Sequence, residues 1–207
     1  MPYGYLAMGG EPTYDVPAEG YDELYGEEQA AKYAAAFRSL QRLLEEPRVV
    51  LDVGCATGLL AEFLEHLGLN HLYIGIDLDA DRLRIAKSRS PSIMVVQADA
   101  HALPVRSGAA DLTACFTVIH LLDLERAIRE LARASRSTMI ITLLRKKLEL
   151  KPMLLRLLKE NLLGWNLESP PVAEDVKDEL YILVRRDGER ALRAAASQES
   201  SGTESPP

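Results

Sequence analysis

Leu51-Asp52-Val53-Gly54-Cys55-Ala56-Thr57-Gly58 ends a short apolar run that begins at Arg48. Residues at helical spacing, Leu60, Phe63, Leu64 and Leu67, follow at once. A buried strand that turns through glycines directly into a helix is the opening unit of an α/β sheet. Open sheets of that kind bind ligands outside the carboxyl ends of their strands. Gly54 and Gly58 let the backbone turn tightly and approach a ligand with no Cβ in the way. The helix starting near Leu59 points its free N–H groups at the same place. The spacing is Gly-x-x-x-Gly, not the Gly-x-Gly-x-x-Gly of a dinucleotide loop. Asp52 would also repel a pyrophosphate, whereas it would attract a cationic amine or sulfonium.

Outward from that turn the same unit repeats. Upstream, Tyr33, Phe37, Leu40 and Leu44 predict one helical face between Glu27 and about Leu44. Downstream, Gly68 is placed to stop the second helix, and His71 to Ile76 predicts a second strand. Asp79 or Asp81 can cap a helix running through Lys87. Ile93 to Gln97 and Asp111 to Val118 predict strands three and four. Asp123 caps a helix to about Ser135, with Leu124, Ala127, Ile128 and Leu131 inward, and Thr138 to Leu144 predicts strand five. Alternating helices and near-continuous apolar strands predict a doubly wound α/β domain on a mostly parallel seven-stranded sheet. The last third differs: a helix from about Leu150 to Leu163, a weak strand near Trp165, and a strand from Asp178 to Arg185. With no helix between them, the last two strands predict an antiparallel hairpin at the carboxyl end of the chain.

The 207 residues are 47% hydrophobic and 27% charged, ordinary for a globular chain and too apolar for a disordered one. One domain is expected at 21–193, between an irregular segment at 1–20 and a disordered acidic tail at 194–207. Two cysteines and four scattered histidines offer neither a disulfide framework nor metal-ligand spacing, so no metal site is expected. No apolar run approaches the roughly 18 to 20 residues that span a bilayer. The first twenty residues hold no base and no apolar core of a secretory signal. The expectation is a cytoplasmic protein with no membrane partner.

The residues after the glycine turn carry a resemblance. Asp52-x-Gly54-x-Ala56-x-Gly58 is similar to motif I of the class I S-adenosylmethionine-dependent methyltransferases, with Ala56 replacing the middle glycine. Ile74-Gly75-Ile76-Asp77-Leu78 resembles motif II, Gln97-Ala98-Asp99-Ala100 motif III, and Leu103-Pro104 with Asp111 to His120 the motif IV stretch. The four occur in family order across roughly residues 21 to 186. The resemblance implies a Rossmann-like methyltransferase fold with S-adenosyl-L-methionine bound between Asp52 and Phe116. It implies backbone approach at Gly54, Ala56 and Gly58, a ribose contact from Asp77 beside Leu78, and an adenine contact from Asp99 beside Ala100. The carbonyl near Phe116 would face the methionine amine. Read without the family, Asp77 and Asp99 are equally simple turn or helix caps, and Cys55 and Cys115 are packing residues. Such a fold can also survive as a non-catalytic, cofactor-binding subunit.

The acceptor is less constrained. The motif IV stretch lacks Asn/Asp-Pro-Pro-Tyr/Phe, which holds exocyclic amines in many relatives, and lacks the Pro-Cys pair used on pyrimidines. His120 is the one plausible base there, with a neutral pocket-lining histidine as its alternative. Tyr21-Asp22-Glu23-Leu24-Tyr25 with Glu28-Gln29 and Lys32-Tyr33 resembles an N-terminal segment of a subgroup that includes rRNA guanine-N7 and quinone enzymes. In that subgroup the segment folds over the cofactor, which makes Tyr25 a pocket-closing aromatic.

The formal charge of −7 sits at the ends: residues 1–30 hold seven acids and no base. Between Arg126 and Lys159 ten bases face two acids. Arg126, Arg129, Arg133 and Arg136 predict a stripe on an exposed helix face, where phosphates could track. Arg145, Lys146 and Lys147 follow strand five on the side where a substrate would enter. A solvated helix face is the plain alternative. The leading acceptor is a base in tRNA or rRNA, and the alternative is a small molecule such as a quinone or lipid precursor. No auxiliary RNA-binding domain is present, so a small zinc-binding activator subunit is an expected partner by analogy.

Overall fold

The computed structural model describes residues 17–40, 49–69, 71–169 and 176–185. Residues 1–16, Leu44 and the 194–207 tail lie outside them. Seven strands form one sheet: β1 (Val49–Val53), β2 (Leu72–Asp77), β3 (Met94–Gln97), β4 (Ala110–Cys115), β5 (Ser135–Leu144), β6 (Trp165–Glu168) and β7 (Asp178–Arg185). Their order is β3-β2-β1-β4-β5-β7-β6. Strands β1 to β5 are parallel, because each is followed by a connection that returns the chain to the same end. β7 lies between β5 and β6 and is antiparallel to both. The predicted hairpin is therefore present, with the weak strand at Trp165 on the outer edge. Leu144 pairs with Asp178, so β7 begins at the carboxyl edge of the parallel strands.

From β1 the chain steps outward to β2 and β3, then crosses back to lay β4 on the other side of β1. That reversal opens a crevice at the carboxyl ends of β1 and β4. Both sheet faces are covered. Leu51, Val53, Ile76, Met139 and Ile141 pack under α4 (Leu124–Ala134) and α5 (Lys151–Asn161). Val50, Tyr73, Leu112 and Ile140 pack under α1 (Tyr21–Leu40), α2 (Leu59–His66) and α3 (Ala80–Arg89). Alternate residues of β1 serve opposite layers, which is why its sequence is apolar almost throughout.

The helices follow their local signals. Asp79 caps α3 by accepting from the Asp81 and Arg82 amides, and Asp123 caps α4 by accepting from Arg126. Leu124, Ala127, Ile128 and Leu131 are buried as their spacing predicts. α1 begins six residues earlier than its apolar face requires, where Asp22 bonds Thr57 and Arg89 and the Tyr21 ring stacks on Arg82. A 3-10 turn, Arg145–Leu150, separates β5 from α5.

The arginine stripe needs correction. Arg129 pairs with Glu125, and Arg133 pairs with Glu130 while donating to the carbonyls of Leu103 and Val105. Arg136 belongs to β5, not α4, and pairs with Asp111. Arg133 and Arg136 bind the chain that leads into the amino end of β4, the edge opposite the crevice. Neighbouring acids and unpaired carbonyls claim these guanidinium groups, which a helical-face reading cannot show.

Candidate functional site

The β1–α2 loop is fixed by backbone bonds to β2. Gly54 and Cys55 both donate to the Ile76 carbonyl, at 2.7 and 3.0 Å, and the Ala56 amide donates to Asp77 Oδ2 at 2.8 Å. These amides therefore hold the loop in place instead of being offered to a ligand. Gly54 and Gly58 each take φ +80°, in the left-handed region. A Cβ on Gly54 would lie 2.3 Å from Val118 Cγ2, so Val118 occupies the space where a side chain would be. Ala56 holds φ +45°, a conformation that costs an ordinary residue about 1 to 2 kcal/mol. Its amide bond to Asp77 opposes that cost.

A shallow cleft opens beside this loop at the carboxyl ends of β1 and β2. Gly54, Ile76 and Asp77 form its floor, Leu78, Ala98 and Ala100 one wall, and Val118 and Leu122 the other. Of the residues the sequence singles out, Gly54, Asp77, Leu78 and Ala100 meet here. Asp99 does not line the cleft. It is exposed at the rim, where Oδ1 accepts from the His101 amide and pairs with His101 Nδ1 at 2.7 Å. The Asp123 amide donates to the other ring nitrogen, so His101 ties β3 to the start of α4. Phe116 is buried edge-on against Tyr33, leaving only its backbone to serve a ligand.

Two carboxylates give the site its charge. Asp77 Oδ2 accepts from Ala56 and Oδ1 from the Asp79 amide, and burial raises its pKa despite those bonds. Asp52 is deeper, 3% exposed, and its hydrogen-bond partner is the Tyr73 hydroxyl. Burial pushes its carboxyl up to about 7, with Asp77 adding repulsion and the Tyr73 bond opposing. A buried acid partnered by a phenol has an unmet preference for a cation. The flat apolar walls, the carboxylate at their end and the acid behind the loop together fit a nucleoside carrying a positive charge.

α1 closes over this edge. Asp22 accepts from Thr57 Oγ1 at 2.5 Å and is paired with Arg89, which also donates to the Thr57 carbonyl. The Arg82 guanidinium stacks 4.7 Å from the Tyr21 ring centre. Tyr25 packs on Tyr21 with ring centres 5.1 Å apart, outside the cleft lining. Farther along, Lys32 reaches Thr117, the residue after Phe116.

Beside the cleft lie the turn after β4 and the turn after β5. His120 lies in the 3-10 turn Ile119–Leu121, and its buried Nδ1 has no hydrogen-bond partner among the described residues. Burial lowers its pKa, so the ring is neutral near pH 7; Asp178 raises it, and Lys147 and Lys32 lower it further. Lys147 is near enough to act on His120 by charge and also lies 4.0 Å from Glu149, and Arg145 and Lys146 are exposed in the same turn. Cys55 and Cys115 are buried with raised thiol pKa values, to about 12 for Cys115, and are not nucleophiles.

Sequence reading passes over Val118, Leu122, Arg89 and the polar group around Lys32. Val118 lies in the motif IV stretch and Lys32 in the N-terminal segment, but neither motif assigns them a role, and only the pairing of distant strands brings these residues together. Gln29, Lys32, Asp178 and Thr142, buried polar residues in three separated segments, carry the one usable signal.

A methyltransferase domain profile matches residues 51–141. A Campylobacter jejuni ubiquinone/menaquinone biosynthesis C-methyltransferase is 27% identical over 139 residues, 64% of this chain and 58% of that protein. An Arabidopsis thaliana 18S rRNA (guanine-N(7))-methyltransferase is 31% identical over 120 residues, 50% of this chain and 40% of the relative. The chain thus spans little more than half the length of the curated relatives it matches. Among solved structures, Synechocystis magnesium protoporphyrin IX methyltransferase with bound S-adenosylmethionine shares the fold at 17% identity and TM-score 0.63, covering 84% of this chain and 86% of its own. A Haloferax volcanii protein solved with the Trm112 methyltransferase activator does so at 13% identity and TM-score 0.62, covering 81% and 96%.

Proposed function

The chain belongs to the class I S-adenosylmethionine-dependent methyltransferase family, and from that premise we propose that it transfers the cofactor's methyl group to a base in tRNA or rRNA. The observation that carries the cofactor assignment is the cleft at the β1–β4 crevice, with Asp77 at its floor and Asp52 lacking a cationic partner behind it. S-adenosylmethionine, when bound, supplies an electrophilic methyl on a sulfonium. The remaining lone pairs of Asp77 take the ribose hydroxyls, and the apolar walls of Leu78, Ala100 and Leu122 hold the adenine and exclude water. Asp99 at the rim reaches the adenine amino group, and the Phe116 carbonyl the methionine amine. Transfer is an in-line displacement, so positioning and desolvation of the acceptor do much of the work. His120, neutral and with Nδ1 unpartnered among the described residues, takes the acceptor's proton where the acceptor carries one.

Arg145 and Lys146, exposed at the carboxyl edge of β5, and Lys147 beside His120 support an anionic acceptor. A second reading, a quinone-like or lipid-precursor acceptor, is favoured by the exposed apolar side chains of Leu148 and Met153 on the same rim. A small zinc-binding activator subunit is the proposed partner. The outer strand β3 leaves Met94 and Val96 exposed, an apolar strip that such a subunit would cover.

The test is tritiated-methyl transfer from S-adenosylmethionine into total RNA, protein and small-molecule fractions, with and without a zinc-binding activator. Label in RNA is expected; label confined to the organic extract moves the assignment to the second reading. Calorimetry should show cofactor binding weakened about a hundredfold or more by Asp77→Ala, the loss of two charge-assisted hydrogen bonds. Binding without transfer to any fraction would identify a cofactor-binding subunit. Absence of binding in every assembly state would end the methyltransferase reading.

A further inference from the structure

Thr117 is not glycine, yet it takes φ +59°. A β-branched residue in that region is a conformational outlier and persists only where its surroundings over-determine it. Three bonds do so. The Thr117 amide donates to Thr142 Oγ1 at 2.7 Å, and its hydroxyl donates to Asp178 Oδ2 at 3.0 Å. Lys32 Nζ, 2.8 Å away, donates to that same hydroxyl. Lys32 is 2% exposed, and its ammonium is also shared between Glu28 Oε1 at 2.8 Å and Asp178 Oδ1 at 3.1 Å. Thr142 completes the group by donating to Asp178 Oδ2 at 2.7 Å. Four elements that are remote in sequence, α1, the turn after β4, β5 and β7, thus meet at one threonine.

What the turn at Thr117 delivers lies immediately beyond it. Val118 is the next residue, packed over Gly54 as a wall of the cleft, and His120 follows two residues later. We propose that Lys32 is a positioning residue for methyl transfer, holding Thr117 in the left-handed turn that sets Val118 and His120 at the crevice. The proposal rests on the methyltransferase reading for its functional consequence. Among the described residues Lys32 bonds this loop at Thr117, and its charge also lowers the His120 pKa through space, so it positions Val118 and His120 through Thr117 while tuning His120 directly. Without the ammonium, Thr117 relaxes toward ordinary backbone angles, and ligand binding has to pull it back.

The test uses four variants of the full chain and two readouts. Lys32→Met removes the ammonium. Thr117→Val removes the hydroxyl and keeps the β-branch, and Thr117→Gly removes the hydroxyl but accepts a left-handed φ without strain. The fourth is the double variant Lys32→Met/Thr117→Gly. Equilibrium binding of S-adenosylhomocysteine should weaken about tenfold in Lys32→Met and in Thr117→Val, the equivalent of about 1.4 kcal/mol. Thr117→Gly should lose clearly less than Thr117→Val, and the double variant should recover most of what Lys32→Met loses. In the ligand-free protein the His120 ring signals should shift in Lys32→Met and Thr117→Val and move back in the double variant. If Lys32→Met does not fold, the Thr117→Val and Thr117→Gly pair still decides. Equal behaviour of valine and glycine at 117, in binding and in the His120 signals, overturns the proposal. If the wild type binds no S-adenosylhomocysteine, the methyltransferase reading fails, while the His120 signals still report on the brace.

Discussion

Asp52 carries its proton to an unusual pH, and the reason is residue-scale chemistry. Its carboxyl is buried against Tyr73, near Asp77, and its pKa stands at about 7 against an ordinary 3.8. The folded protein therefore holds a proton between those values that the unfolded chain has released. Stability from this group is fully present below about pH 4 and falls as pH rises toward 7. Asn does not titrate, so Asp52→Asn should gain on the wild type in thermal unfolding midpoint as pH increases across that window. A difference between the two that stays constant with pH would show that Asp52 is ionised throughout. Tyr73, whose own pKa burial raises, remains the donor over the whole range.

At the scale of elements, the crevice is a contact between two loops that no single segment specifies. Gly54 from the β1–α2 loop and Val118 from the turn after β4 share one volume. Gly54→Ala adds a methyl 2.3 Å from Val118 Cγ2 and does so at φ +80°. Overpacking costs about 1 to 3 kcal/mol, and the left-handed angle about 1 to 2 more. Urea unfolding should report a loss in that range for Gly54→Ala. Val118→Ala in the same chain should return the overpacking part and leave the conformational part. Strict additivity of the two substitutions would show that the loops do not touch. α1 belongs to the same level. Its inward face, Tyr33, Phe37 and Leu40, is legible from helical spacing, but its first turns are held by Asp22, Arg89 and Thr57, which spacing does not register.

Over the whole molecule, charge and function separate differently than the linear count implies. Net charge is −7, and the basic segment from Arg126 to Lys159 looks continuous along the chain. In the fold it divides. Arg133 and Arg136 are tied to the edge opposite the crevice, while Arg145, Lys146 and Lys147 follow the carboxyl end of β5, on the same edge of the sheet as the crevice. Replacing those three by alanine should lower RNA affinity and flatten its dependence on salt, by roughly one unit of slope for each phosphate left without a cation. RNA affinity and salt dependence equal to the wild type would remove these three residues from the RNA contact. Replacing Arg133 and Arg136 should instead reduce stability and leave the salt slope unchanged.

The sequence by itself determined the order of elements, the parallel sheet and its antiparallel end. The glycine turn singled out Gly54, and the resemblance to methyltransferase motifs singled out Asp77, Leu78 and Ala100, which the fold brings to one cleft. Only the tertiary structure decided that Asp99 sits at the rim beside His101, that Asp52 faces a phenol, and which arginines are tied to protein partners. It alone assembled Lys32, Thr117, Thr142 and Asp178 into one brace. Such groups are buried polar side chains whose partners lie up to 146 residues away along the chain, as Lys32 and Asp178 do. Their bonds form only after strand order is fixed, so no local pattern in the sequence encodes them.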